Sequence, residues 1–473
     1  MMEHLQPFFE QHTPRMAALA DQIWSLAELR YAENASAQLH MQALVTQGFA
    51  ITTPLADITT AFCAQWGNEG PVIAFLGEYD ALSGLNQESG ALVCQPSTES
   101  PGSAGHGCGH HLLGTSAHFA AIALQAHLKQ TGQKARIRFY GCPAEEGGSG
   151  KTFMARAGAF DDVDVALTWH PASYTGIFSQ STLANIQAKF IFHGKASHAA
   201  QSPHLGRSAL DAVELMNVGV NYLREHMPSD ARVHYAITDS GGLSPNVVQA
   251  RAEVLYLVRA GQNSEAAELY ERVRKIADGA ALMTDCRVEV VFEKACSNLL
   301  QNTTLNQVMY RAMQALQPLP AKPEMDAQAE QYQATLSSND IEAVSRSLAQ
   351  VLRGQVPAVF REIAPYKADV QETIFGSTDV ADVSWVTPTV QAWVACYAFG
   401  TPLHSWQMVA QGKNPLAHAG MVMAARTLTA TAIELVEQPQ FIAKARAELL
   451  ERRGGKPYVC PIPADIPVPI PAG

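Results

Sequence analysis

The run Gly105-His106-Gly107-Cys108-Gly109-His110-His111 places three histidines and a cysteine within six residues, with glycines between them. Thiolate and imidazole are donors that borderline divalent ions prefer, and glycines let the backbone bring several of them onto one ion. A single histidine here would merely cap a helix; the cluster points to a metal. Pro143-Ala144-Glu145-Glu146-Gly147-Gly148 adds two adjacent carboxylates. In extended backbone these face opposite ways, so one ligates while its neighbour faces a cleft. Thr168-Trp169-His170-Pro171 and Leu403-His404-Ser405 each add a histidine that is uninformative alone. Asp80, in Glu78-Tyr79-Asp80, is a carboxylate placed to orient a ligating imidazole. One cysteine, three histidines and one or two glutamates are too many for one tetrahedral ion. They fit two ions ~3.5–4 Å apart sharing a water or hydroxide, with a carboxylate left over as general base. That is the equipment of amide hydrolysis.

The elements around these segments have to bring them together. The opening reads as helix over 15–29 and 36–47. Val72-Ile73-Ala74-Phe75-Leu76 is unbroken apolar and predicts a strand buried on both faces, ending at Glu78. A Gly-, Ser- and Pro-rich loop over 83–109 leads into a helix over 112–128. A strand over 134–140, alternating Ala135, Ile137 and Phe139, ends at the glutamate pair. A helical patch over 151–157 and a short strand over 163–167 then lead to His170. This alternation predicts an α/β layer with a mixed, mostly parallel sheet and helices on both faces, whose ligands bind beyond the strands' carboxyl ends. From 183 to 299 the order becomes βαββαβ, a ferredoxin-like α+β unit inserted into the first. The expected organisation is therefore a discontinuous catalytic domain, residues 1–182 and 300–473, interrupted by a second domain over 183–299. After 300 helices dominate, including one over 417–437, with a polar surface excursion over 322–340. The tail over 456–473 holds six prolines and reads as an extended appendage.

Composition narrows the function classes. Among 473 residues, 33 Lys+Arg face 44 Asp+Glu, a formal charge of −11. With no basic block or stripe, nucleic acid and anionic membrane are excluded as main partners. The chain shows no secretory start and no unbroken apolar run of about 18 residues, so a membrane span is not expected. Eight scattered cysteines fit a cytoplasmic protein with free thiols.

In their order, Cys108-Gly109-His110, Pro143-Ala144-Glu145-Glu146, His170 and Leu403-His404-Ser405 resemble the motifs of the aminoacylase and carboxypeptidase G type of co-catalytic metallopeptidases, in its amidohydrolase branch. Gly194-Lys195-Ala196-Ser197-His198-Ala199-Ala200, Pro203-His204, Asn246-Val247-Val248 and Arg259 continue the resemblance, which runs to about residue 437. It implies two divalent ions per subunit, Zn2+ or Mn2+, held by Cys108, His110, Glu146, His170 and His404. It also implies Glu145 as general base, and His198 reaching from a partner subunit's lid to the oxyanion. Asn246 and Arg259 would grip the substrate carboxylate, and the insert would serve as lid and dimerisation surface, pairing with itself or a related subunit. The implied substrates are N-acyl amino acids. The runs 24–31 and 376–385 point to p-aminobenzoyl-glutamate, with indole-acetyl-aspartate, a dipeptide, or a non-catalytic partner role as alternatives. Two departures stand out. The first-strand motif carries Glu78 where many relatives have histidine, and His111 replaces an aspartate, which leaves both His110 and His111 as candidate ligands.

Overall fold

The computed structural model describes residues 2–98, 102–316, 318–368 and 372–470. Among them thirteen strands follow in chain order. They are β1 (Ala50–Thr52), β2 (Phe62–Trp66), β3 (Val72–Glu78), β4 (Arg136–Cys142), β5 (Val165–Ala172), β6 (Gly176–Ile177), β7 (Ser181–Thr182), β8 (Ala184–His193), β9 (Arg232–Asp239), β10 (Arg251–Ala260), β11 (Arg287–Cys296), β12 (Thr373–Ile374) and β13 (Thr389–Ala395).

The apolar run at β3 does what its composition requires. All seven of its residues are buried. Ile73 and Phe75 pack with Leu112, Leu113 and Phe119 of the helix His110–Thr131. Val72, Ala74 and Leu76 pack on the other side with Phe153 and Met154 of the helix Gly150–Arg156. Each such fully buried side chain contributes roughly 1.5–3 kcal/mol, so a polar residue in β3 would not be tolerated on either face. The sheet runs β1-β2-β4-β3-β5-β13-β6. Its central strands β4, β3, β5 and β13 are mutually parallel, and the antiparallel pairs lie at the two edges. The sheet is mixed with a parallel centre, as expected, and helices cover both faces. Glu78, the glutamate pair, His170 and the segment leading to His404 therefore all leave from one end of the parallel strands. The helix His110–Thr131 begins at that same end.

Residues of β8 to β11 form a separate four-stranded antiparallel sheet, order β11-β8-β10-β9. The helices Ala209–Leu223 and Asn263–Thr284 lie between its strands in sequence, which gives the anticipated βαββαβ order. Ile186, Ala188, Phe190 and Phe192 alternate inward from β8 and bury with Val213, Met216 and Val273 of those helices. Val291 lies exposed on the opposite sheet face, whereas Tyr235 and Ile237 of the edge strand β9 are exposed on the same face as Ala188 and Phe190.

Three expectations change. The stretch 322–340, expected as a polar surface excursion, holds the helix Pro323–Gln333 and the start of Ser338–Ser347, and Met325, Ala329 and Tyr332 are buried. The proline-rich tail has no regular structure but is docked rather than free. Ile462 is buried, Tyr458 Oη donates to Asp382 Oδ1 at 2.8 Å, and Arg156 Nη1 donates to the Pro463 carbonyl at 2.7 Å. Its last three residues lie outside the described ones. The third change concerns β2 and β13, which sequence patterning did not single out. Finally, the helix Pro415–Glu437 is long and apolar enough to cross a bilayer, but 78% of its most apolar window is buried inside the protein, as a core helix would be.

Candidate metal centre

The Cys-Gly-His turn depends on Gly109. Its φ is +75°, and a Cβ there would collide with the Tyr397 hydroxyl and crowd Pro171. Glycine at this point lets Cys108 and His110 face the same space from the start of the helix His110–Thr131. His170 stands within β5. Its Nδ1 lies 2.8 Å from the Pro171 carbonyl, an acceptor, which sets Nε2 as the free lone pair. That Nε2 is 3.3 Å from Cys108 Sγ. His404 arrives with φ +59°, its backbone N–H donating to the Gly107 carbonyl at 2.8 Å, and its Nε2 is 3.5 Å from Glu146 Oε1.

Three groups of potential ligand atoms, each mutually within 4.8 Å, result: Cys108, His110 and His170; Cys108, Glu146 and His404; Glu78, His110 and Glu145. The first two share Cys108, and the first and third share His110. The five residues expected to ligate are thus gathered in two overlapping cradles, with Glu145 at their edge.

The glutamate pair is arranged differently from the expectation. Its backbone is not extended: Ala144 has φ +60°, and Gly148 N–H donates to the Ala144 carbonyl at 3.1 Å, closing a tight turn. Both carboxylates consequently face the cluster instead of diverging, Glu145 beside His110 and Glu146 beside His404.

Asp80 does more than orient one imidazole. Its Oδ1 accepts from His110 Nδ1 at 2.8 Å and its Oδ2 accepts the Glu146 N–H at 2.7 Å, so one buried carboxylate positions two groups. Sequence reasoning missed Glu78, Lys151 and Asp379. Lys151 is fully buried, its Nζ 2.7 Å from Glu78 Oε1 and 2.5 Å from Asp379 Oδ1. The signal was present: Glu78 ends the buried strand, and Asp379 lies in the run 376–385 already singled out. Glu33 was missed too. Its Oε1 accepts the N–H groups of Tyr31 and Ala144, and its Oε2 accepts from Thr60.

His106 and His111 turn away from the cluster. Their rings pack 4.9 Å apart, with His106 Nε2 3.1 Å from the Ile23 carbonyl and His111 Nε2 2.9 Å from the Gly412 carbonyl.

The charge balance calls for cations. Burial raises the Glu145 carboxyl well above its ordinary value, with Glu78 and Glu146 adding to the effect. Burial also pushes on Glu146, but the His404 ring beside it and the charge of His110 outweigh it and hold the carboxyl down at about 2. Burial opposes protonation of His110, yet Asp80 and Glu78 overcome it and raise this imidazole. His170 is held at about 4 by burial and by His110. Two buried atoms at the centre, His110 Nε2 and Glu146 Oε1, have no hydrogen-bond partner. Orphaned donors and acceptors of this kind are rare. Together with a sulfur, nitrogen and oxygen donor set and surplus carboxylates, they fit divalent metal ions.

The remaining expected residues lie apart from this centre. His198 is exposed, and its Nδ1 accepts the N–H groups of Ala200 and Gln201 at 3.2 and 3.1 Å. Asn246, also exposed, accepts the Ala199 N–H on its carbonyl. Arg259 is at the other end of β10, where Nη1 donates to Ser377 Oγ at 2.7 Å. The loop bearing Asn246 joins β10 at Arg251, and the eight residues from there to Arg259 span ~26 Å. Within one chain Asn246 and Arg259 therefore lie towards opposite ends of β10.

Peptidase family M20/M25/M40 matches residues 74–415. Two relatives are subunits of the p-aminobenzoyl-glutamate hydrolase of Escherichia coli (strain K12). To one of them the chain is 50% identical over 466 residues, covering 97% of this chain and 96% of that one. To the other it is 30% identical over 235 residues, 47% of this chain and 52% of its counterpart. A solved dinuclear metal binding peptidase of the M20 family from Bacillus subtilis has the same fold. It is 16% identical with a TM-score of 0.53, covering 89% of this chain and 98% of that one.

Proposed function

This chain belongs to peptidase family M20/M25/M40, and on that premise we propose that it hydrolyses the amide of p-aminobenzoyl-glutamate to p-aminobenzoate and glutamate. The observation that carries this is the convergence of Cys108, His110, Glu146, His170 and His404 in two overlapping cradles with Glu145 at their edge. Those five residues would hold two Zn2+ or Mn2+ ions. When bound, such ions polarise the scissile carbonyl and lower the pKa of the attacking water. Glu145 takes the proton from that water and returns it to the leaving amine nitrogen. Burial and the neighbouring carboxylates raise this carboxyl, which favours its holding the proton between the two transfers. Asp80 keeps the His110 proton on Nδ1, leaving Nε2 as the ligand atom, and this favours His110 over His111 for that role.

His198 acts on the oxyanion from a neighbouring subunit. Its Nδ1 already accepts two backbone N–H groups, so in the neutral ring the proton is on Nε2, available for donation. Asn246 travels with it, and Arg259 serves its own subunit. Residues 1–182 and 300–473 form the catalytic domain and 183–299 the lid and dimerisation domain. The partner is a second copy or a related chain, in line with a relative named as one subunit of a hydrolase. Eight free cysteines fit a cytoplasmic setting. The test is release of p-aminobenzoate by metal-reconstituted protein, by itself and with a related chain, against indole-acetyl-aspartate and a dipeptide panel. Turnover of either comparison substrate but not of p-aminobenzoyl-glutamate, in both settings, refutes the assignment.

A further inference from the structure

In a chain of charge −11, three cations near the catalytic turn have no carboxylate partner. Arg30 and Lys294 form neither an ion pair nor a side-chain hydrogen bond among the described residues, and Arg259 bonds only Ser377 Oγ. Two of them meet at the glutamate turn. A Cβ on Gly147, the residue after Glu146, would lie 3.0 Å from Arg30 Nη1 and 3.7 Å from Lys294 Nζ. Arg259 joins them through the lid sheet. Arg259 on β10 and Cys296 on β11 both pair with Asn185 of β8, and Lys294 is two residues from Cys296, so the side-chain period of two puts both cations on one face. Arg30 is held in place by its neighbours: Tyr31 Oη donates to the Gly148 carbonyl at 2.5 Å, and the Ala81 N–H donates to the Glu28 carbonyl at 2.8 Å. Burial holds the Lys294 ammonium below the ordinary lysine range; Cys296 and Glu145 oppose this, and the charges of Arg259 and Arg30 add to it.

Like charges gathered without an ion-paired carboxylate disfavour the free protein and attract an anion. Glu145 must reach the leaving amine nitrogen, so the leaving amino acid has to lie on the Glu145 side, where these cations are. Gly147 keeps that side open. We propose that Arg30 and Lys294 form a subsite for the side-chain carboxylate of the leaving amino acid, with Arg259 on its α-carboxylate, making the site selective for amides of acidic amino acids. This rests on the amidohydrolase reading above.

p-Aminobenzoyl-glutamate and p-aminobenzoyl-glutamine differ only in side-chain charge and separate the outcomes. In the metal-loaded enzyme, Lys294→Met and Arg30→Gln should each lower the glutamate-to-glutamine ratio of kcat/KM by about tenfold or more, through KM for the glutamate substrate. An unchanged ratio, or equal losses on both substrates, overturns the proposal. If the wild type cleaves neither, the functional reading fails by itself. The subsite is then judged by calorimetric titration of the full metal-free chain with glutarate. Binding weakened about tenfold by Lys294→Met supports it, and absent or unaltered binding overturns it.

Discussion

Replacing Lys151 by methionine removes the ammonium that bridges Glu78 and Asp379 without changing the length of the side chain much. All three residues are buried, and the two contacts are 2.7 and 2.5 Å. Breaking a buried ion pair by deleting one partner costs about 3–5 kcal/mol, because the other charge is left uncompensated. Here Asp379 is stranded while Glu78 keeps the His110 ring 3.2 Å away, so a cost within that range is expected. At about 2 °C per kcal/mol for a domain larger than 150 residues, Tm should fall by roughly 6–10 °C. The measurement is urea and thermal unfolding of the metal-free protein, which keeps ion binding out of the balance. The double variant Lys151→Met/Asp379→Asn is the internal control. Asparagine keeps an oxygen for the Lys151 N–H, now received at 2.8 Å, while removing one stranded charge. It should recover about 1–3 kcal/mol of the loss. A single-variant cost under about 1 kcal/mol would mean that the triad is not ionised in the native protein. A double variant no better than the sum of its parts would locate the cost in packing instead.

Glu145→Gln should lower kcat by about 10²–10⁴ while metal content per chain, read by elemental analysis, stays at the wild-type value. His110→Gln should lose bound metal. His111→Phe should retain it and instead lose about 1–3 kcal/mol of stability, the cost of stranding the Gly412 carbonyl; metal loss from His111→Phe would reverse the assignment. Burial and the nearby Asp80 raise the Glu33 carboxyl to about 8. A folded-state value above the unfolded one favours the fold at low pH and loses that advantage as pH climbs. Metal-free protein should therefore lose stability at about 1.4 kcal/mol per pH unit between the ordinary carboxylate value and 8. Glu33→Gln should flatten that slope in denaturant titrations run from pH 5 to 9.

Legibility from sequence followed the strength of local signals. β3 was plain because an unbroken apolar run admits one explanation, and the Cys108 cluster because glycines and ligand-type residues are concentrated there. β2 and β13 were missed: Phe62-Cys63-Ala64-Gln65-Trp66 and Thr389-Val390-Gln391-Ala392-Trp393 mix polar and apolar residues, and their placement is decided by neighbours far away in the chain. The divergence expected of Glu145 and Glu146 failed because a turn at positive φ on Ala144, a residue with no preference for it, overrode strand geometry. Lys151 had no sequence mark at all; a lysine in a short helix reads as surface until its two carboxylate partners are placed around it. Asn246 and Arg259 came from the family resemblance, which does not say which subunit each serves, and the length of β10 sets them apart within one chain.

The position of β13 has a consequence for how the chain is made. Its pairing joins Thr389 to Ala166, so the edge of β5 waits for some 220 residues before its neighbour exists. At ~5–20 residues per second, the ribosome leaves that apolar edge open for roughly 10–45 s. The four-stranded unit of β8 to β11 is complete within that interval, and it folds while the main sheet is still unfinished. Overproduced nascent chains therefore meet one another first along β5. Slower initiation, which spaces ribosomes on the message, should raise the soluble yield more than any change to the finished protein's surface.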